Sequence, residues 1–78
     1  MGDYSQAFNA LIQGLTANPN APELYHERGV FYQNAAKTDA AIREYNLGIK
    51  FAENDTLRNS IIISKATAYS DLRNLKEA

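Results

Sequence analysis

Any chemistry in this chain would have to start from one imidazole. His26 is the only histidine, with Glu23 and Glu27 close to it in sequence. A general base needs a nucleophile to act on and a third group to orient it, and neither is recognisable beside His26. A metal site needs several ligands, and a lone histidine in a chain without cysteine supplies too few. The phosphate-cradling, dinucleotide, zinc-protease and nucleophile-elbow patterns are all missing. The residues therefore read as those of a protein that is not an enzyme and carries no cofactor or metal. Asn54-Asp55-Thr56 fits the glycosylation acceptor pattern, but with no sign of secretion it reads as a turn and a helix cap. Most of the five tyrosines fall at packing positions, which makes them core rather than a platform for stacking bases.

Composition narrows the partners. A chain of 78 residues holds one domain with a modest core. Its 45% hydrophobic and 22% charged residues are ordinary for a globular domain. Eight basic residues against nine acidic ones leave a net charge of -1 and no basic stripe, which argues against nucleic acid and against an anionic membrane surface. No apolar run approaches the ~18 residues of a membrane span. "MGDYSQAF" has neither the basic start nor the apolar stretch of a signal peptide. On that reading the compartment is open, with the cytoplasm favoured.

The elements that would position any site are helices. Asp3 can cap a first one, whose Ala7, Phe8, Leu11, Ile12 and Leu15 form a stripe of helical period. "ANPN" ends it, because Pro19 cannot continue a helix. Asn20 is placed to cap a second helix, with Pro22 in its first turn, Glu23 closing a capping box, and Leu24, Tyr25, Gly29, Tyr32 and Ala36 on one face. A short connection around Lys37 and Thr38 leads to a third helix carrying Ala41, Tyr45, Gly48, Ile49 and Ala52. Asp55 then caps a fourth with Leu57, Ile61, Ile62, Ala66, Tyr69 and Leu72. "SIIIS" is β-prone by composition, but its flanks continue the helical pattern. In "RNLKEA", Asn74 and Glu77 have capping-box spacing, so this stretch reads as the stub of a fifth helix.

These helices repeat. Shifting residues 3–21 by 34 places Ala7 on Ala41, Leu11 on Tyr45, Gly14 on Gly48 and Leu15 on Ile49. Shifting residues 22–41 by 37 places Tyr25 on Ile62, Gly29 on Ala66 and Tyr32 on Tyr69. Small residues recur where helices must approach, and large ones where a gap must be filled. On these residues the chain resembles the tetratricopeptide repeats, a family of 34-residue helix–turn–helix units. Its best-matching stretch is "PELYHERGVFYQNAAKTDAAIREYNLGIKFAEND", residues 22–55, with Tyr25, Gly29, Tyr32, Ala41 and Tyr45 at the family's large, small and aromatic positions. Glu53 stands where the family closes with proline, Arg73 where it has its turn glycine, and Gly14 and Gly48 where it has alanine.

The resemblance implies an all-α fold of antiparallel helix–turn–helix repeats stacked as a short right-handed solenoid. It would divide a single domain, 1–78, into a second helix (3–21), one full repeat (22–55), and a first helix plus stub (56–78). The plain alternative is a generic small helical bundle. Family members bind other proteins, and the resemblance puts His26, Val30, Gln33 and Asn34 on one helix and Ile63, Thr67, Ser70 and Asp71 on another along a concave groove for a partner peptide or helix. Some members clamp chaperone C-termini with lysine, asparagine and arginine. The matching positions here are His26, Val30, Ile63 and Thr67, so that clamp is not expected. Both ends of the chain fall in the same register of the repeat. It thus reads either as a window from a longer array or as a chain that uses its incomplete ends. Ile62, Tyr69, Leu72 and Leu75 would then be an exposed apolar face for self-association, as a dimer or a head-to-tail array.

Overall fold

The computed structural model describes residues 4–77. They form four helices: α1 (Tyr4–Ala17), α2 (Pro22–Asn34), α3 (Thr38–Phe51) and α4 (Asp55–Glu77). There is no strand among the described residues, and the "SIIIS" stretch lies within α4. The Asp3 cap expected for the first helix lies outside the described residues.

The helix starts differ from the expected caps by one residue each. Ala21, not Asn20, stands at the N-cap of α2, with extended backbone (φ −78°, ψ 102°) and no side-chain bond. Pro22 decides this, because its fixed φ and missing N–H suit the first helical position and put the cap on the residue just before it. Ahead of α4, Asn54 rather than Asp55 is the cap. Its Oδ1 accepts a hydrogen bond from the Leu57 N–H at 2.8 Å, while Asp55 is already helical and pairs with Arg58.

Ala36 is not part of the α2 face but lies just past its end, with φ 62°. The Ala36 N–H donates to the Gln33 carbonyl at 3.1 Å and the Lys37 N–H to the Tyr32 carbonyl at 2.8 Å. That pairing is a Schellman closure, which normally places glycine at the left-handed position. An alanine there carries a steric cost of roughly 1–2 kcal/mol, only partly offset by its lower entropy when unfolded. Ala36→Gly is therefore expected to stabilise the domain by about 1 kcal/mol. The urea midpoint should rise at unchanged slope. No rise would mean that Ala36 does not hold this conformation in solution.

Each helix packs against its sequence neighbour, and α2 also meets α4. Arg28–Glu44, Gly29–Tyr45 and Tyr25–Phe51 contacts run α2 and α3 antiparallel. Phe8–Phe31 and Gly14–Leu24 contacts do the same for α1 and α2. The core is Ala41, Ile42, Tyr45, Ile61 and Ala68, with Tyr32, Ile49, Leu57 and Leu72 packed around it. Glycine permits the closest approaches. A Cβ on Gly29 would collide with the ring edge of Tyr45, so these two helices meet at the smallest possible side chain.

One contact occurs twice. A Cβ on Gly14 would lie 2.8 Å from Leu24 Cδ1, and a Cβ on Gly48 would lie 3.0 Å from Ile61 Cδ1. Gly14 and Gly48 are 34 apart, and Leu24 and Ile61 are 37 apart. Thus α1 meets α2 through the same pair of positions as α3 meets α4.

No fifth helix begins at "RNLKEA", because α4 continues through Asn74 to Glu77. Residues 55–77 hold no glycine or proline, and arginine, leucine, lysine and glutamate all favour helix, so nothing local stops it. Leu72 turns toward the core rather than joining an exposed face. Ile62 and Tyr69 are 43% and 51% exposed, and the Leu75 side chain lies outside the described residues.

Candidate protein-interaction surface

Helices α2 and α4 run side by side and parallel. His26 Nε2 lies 2.8 Å from Ser64 Oγ, and the Gln33 amide donates to Asp71 Oδ2 at 2.8 Å. The two pairs share one separation of 38 residues, and this offset fixes how the helices lie. Gln33 also accepts from the Tyr45 hydroxyl at 2.7 Å, which ties α2, α3 and α4 into one polar chain over the core. Arg28 and Glu44 link α2 to α3 through a half-buried ion pair at 2.8 Å.

The eight residues assigned to a groove divide in the structure. His26, Gln33 and Asp71 are half-buried and engaged in the α2–α4 links. Val30 and Ile63 are exposed apolar side chains, 40% and 67% accessible. Ser70 is exposed, and the exposed Thr67 hydroxyl turns back to its own helix, donating to the Ile63 carbonyl at 3.2 Å. Val30 and Asn34 also border an open cleft of about 420 Å³ between α1 and α2, so the α2 residues look two ways. Ser64, the partner of His26, was not anticipated from sequence. Nothing in an isolated serine signals it, because the 38-residue offset it shares with Gln33 and Asp71 exists only once α2 and α4 are packed.

His26 lies within the packing of α2 against α3 and α4. Its ring meets Tyr45 edge-on at 5.8 Å, and burial lowers its pKa below the ordinary 6.5, against an opposing pull from Glu27. Among the described residues no three His, Cys, Asp or Glu side chains gather where they could hold a metal ion. No helix among them is long and apolar enough to cross a membrane.

The lowered value has a thermodynamic sign. Folding favours the neutral ring, so this contribution to stability is fully present above 6.5 and is lost as pH falls through the lowered value. The melting temperature is expected to fall between about pH 7.5 and about pH 5, and to fall less in His26→Gln, which does not titrate there. Identical profiles for the two proteins would remove His26 as the cause.

The two helices thus carry exposed apolar side chains, Val30 and Ile63, and their relative position is pinned by the His26–Ser64 and Gln33–Asp71 hydrogen bonds. Comparison of the chain with family models, with curated proteins and with solved structures finds no match in any of the three.

Proposed function

We propose that the chain is a protein-interaction module of tetratricopeptide-like helical repeats, which binds a peptide or helix of a partner across α2 and α4. The observation that supports this best is that two apolar side chains, Val30 and Ile63, stand exposed on neighbouring parallel helices. Exposed apolar side chains over a pinned framework suit recognition of an apolar or neutral segment at helical spacing. The repeat reading draws support from the twice-used glycine contact, Gly14 on Leu24 and Gly48 on Ile61. Without a lysine-rich clamp at His26, Val30, Ile63 and Thr67, a free C-terminal carboxylate is a poor candidate ligand.

A displayed library of random peptides, selected on the 78-residue chain, tests this. Enriched peptides are expected to shift the amide resonances of α2 and α4. They should bind the double variant Val30→Asp, Ile63→Asp on the order of tenfold or more weakly, about 1.4 kcal/mol or more. Both residues are exposed, so the variant should melt like the parent. Failure to enrich any peptide, or binders indifferent to the double variant, would refute the assignment.

A further inference from the structure

Two faces of this molecule are the separated halves of a contact it already makes internally. Inside the chain, α2 lies against α3 and α4. Gly29 meets Tyr45, Tyr32 packs on the cluster containing Ala41 and Ile42, and Gln33 bonds Asp71. Shifting the α2 positions by 37 gives Ala66, Tyr69 and Ser70 on α4, all three exposed. Shifting Tyr45, Ala41 and Ile42 back by 34 gives Leu11, Ala7 and Phe8 on α1, and shifting Asp71 back by 37 gives Asn34 on α2. Leu11, Ala7 and Asn34 border the open cleft of about 420 Å³. Phe8 lies beside it, against Phe31 and Tyr32.

We infer that α4 of one copy docks into the α1–α2 cleft of a second copy, repeating the seat that α2 occupies within the chain. The sizes trade off at the tightest point. Internally glycine faces tyrosine, whereas at the joint alanine (Ala66) would face the smaller leucine (Leu11). Tyr69 takes the place of Tyr32 against Phe8, and Ser70 with Asn34 keeps a polar pair where Gln33 and Asp71 have one. Lys65 stands on the docking side, where Arg28 stands internally; the position matching its partner Glu44 is Ala10, and Glu27, which also borders the cleft, supplies an acid instead; neither Lys65 nor Glu27 is in an ion pair among the described residues. Helix α1 has no acidic or basic residue along its fourteen positions, unlike the other three, as suits a helix covered on two sides.

The contact is heterologous, so copies add head to tail, and the assembly grows unless the rotation between copies closes a ring. The 23-residue α4 presents a strip roughly 35 Å long and ~10 Å wide, short of the ~800 Å² per partner of a standard stable interface. Association is therefore concentration-dependent. It shares Asn34, Ser70 and the cleft-lining Val30 with the face proposed for a partner peptide, but Ala7 and Ala66 belong to the docking alone, so variants there separate the two.

Sedimentation velocity on the full chain, from about 10 μM to about 1 mM, tests the docking together with two single variants. Ala66→Arg blocks the docking face and Ala7→Arg blocks the cleft; both positions are exposed, so circular dichroism should match the parent. If either loses helicity, Ile62→Asp and Ala10→Arg replace them, again at exposed positions. The parent is expected to rise above its 8.7 kDa with concentration, and each variant to stay monomeric. An equimolar mixture of the variants should stop at twice the chain mass, because one supplies an intact cleft and the other an intact docking face. A parent that stays monomeric throughout leaves the cleft to some other occupant and overturns the inference. So does an Ala7→Arg variant that associates like the parent, which would mean that α4 pairs with α4.

Discussion

Tyr45→Ala is expected to leave the chain largely unfolded under mild conditions. Tyr45 is fully buried, and with Ile61 it is the largest side chain so enclosed. Its ring lies against Gly29, where no side chain can move in to fill the space it leaves, and against the edge of His26. Truncating a buried aromatic residue costs about 3–5 kcal/mol. A domain of this length has a total stability of roughly 4–12 kcal/mol, so the loss takes a large share of it. Removing the hydroxyl alone is a much smaller insult. Tyr45→Phe keeps the ring and gives up one hydrogen bond to half-buried Gln33, about 1 kcal/mol. Urea unfolding followed by helicity should thus rank the parent, Tyr45→Phe and Tyr45→Ala in that order, with the wide gap before the last. An alanine variant as stable as the phenylalanine one would contradict the burial described here. Burial, and secondarily the Asp71 carboxylate, raises the Tyr45 phenol above its ordinary 10. Its contribution to stability is thus intact below pH 10 and lost as pH rises through the raised value.

Two adjacent isoleucines should give opposite results. Ile61 is fully buried and fills the space beside Gly48, whereas Ile62 is 43% exposed. Ile61→Ala removes three carbons from a fully buried site beside the backbone of Gly48, which has no side chain to move into the gap. The expected cost is about 2–5 kcal/mol. Ile62→Ala lies outside the core and should fall within roughly 0.5 kcal/mol of the parent. Equilibrium unfolding of both variants at low protein concentration separates stability from association. If the two cost the same, the rotation of α4 about its own axis is not the one described.

Much of this molecule follows from local chemistry alone. Proline at 19, the Asn54 side chain before α4, and the helical spacing of Ala7, Leu11 and Leu15 or of Ala41, Tyr45 and Gly48 mark where helices run and which faces of α1 and α3 are apolar. These are signals within a turn or two of chain, and the sequence carries them directly. The recurrence of Gly14 at Gly48 and of Leu24 at Ile61 is likewise legible, and the structure uses it twice for the same contact. By itself, then, the sequence determined the four main helices, the breaks between them, and the small residues at the close approaches.

Other features needed the tertiary structure. Ile61, Ile62 and Ile63 span about 200° of helix surface, so periodicity cannot say which of them turns inward. The glycine at 48 on α3 decides it by offering a recess that one of the three can enter. Ala68 is fully buried, yet a lone alanine gives no sign of this until the opposing helix is in place. Whether "RNLKEA" turns or continues depends on whether a neighbouring helix makes a turn worth its cost. Ala36 shows that cost being met without glycine, because α3 packs back along α2. The α2–α4 links and the open cleft beside α1 arise between residues far apart in the chain. Local sequence sets the conformation of each segment, but a surface shared by two helices exists only once packing has fixed their rotation and offset.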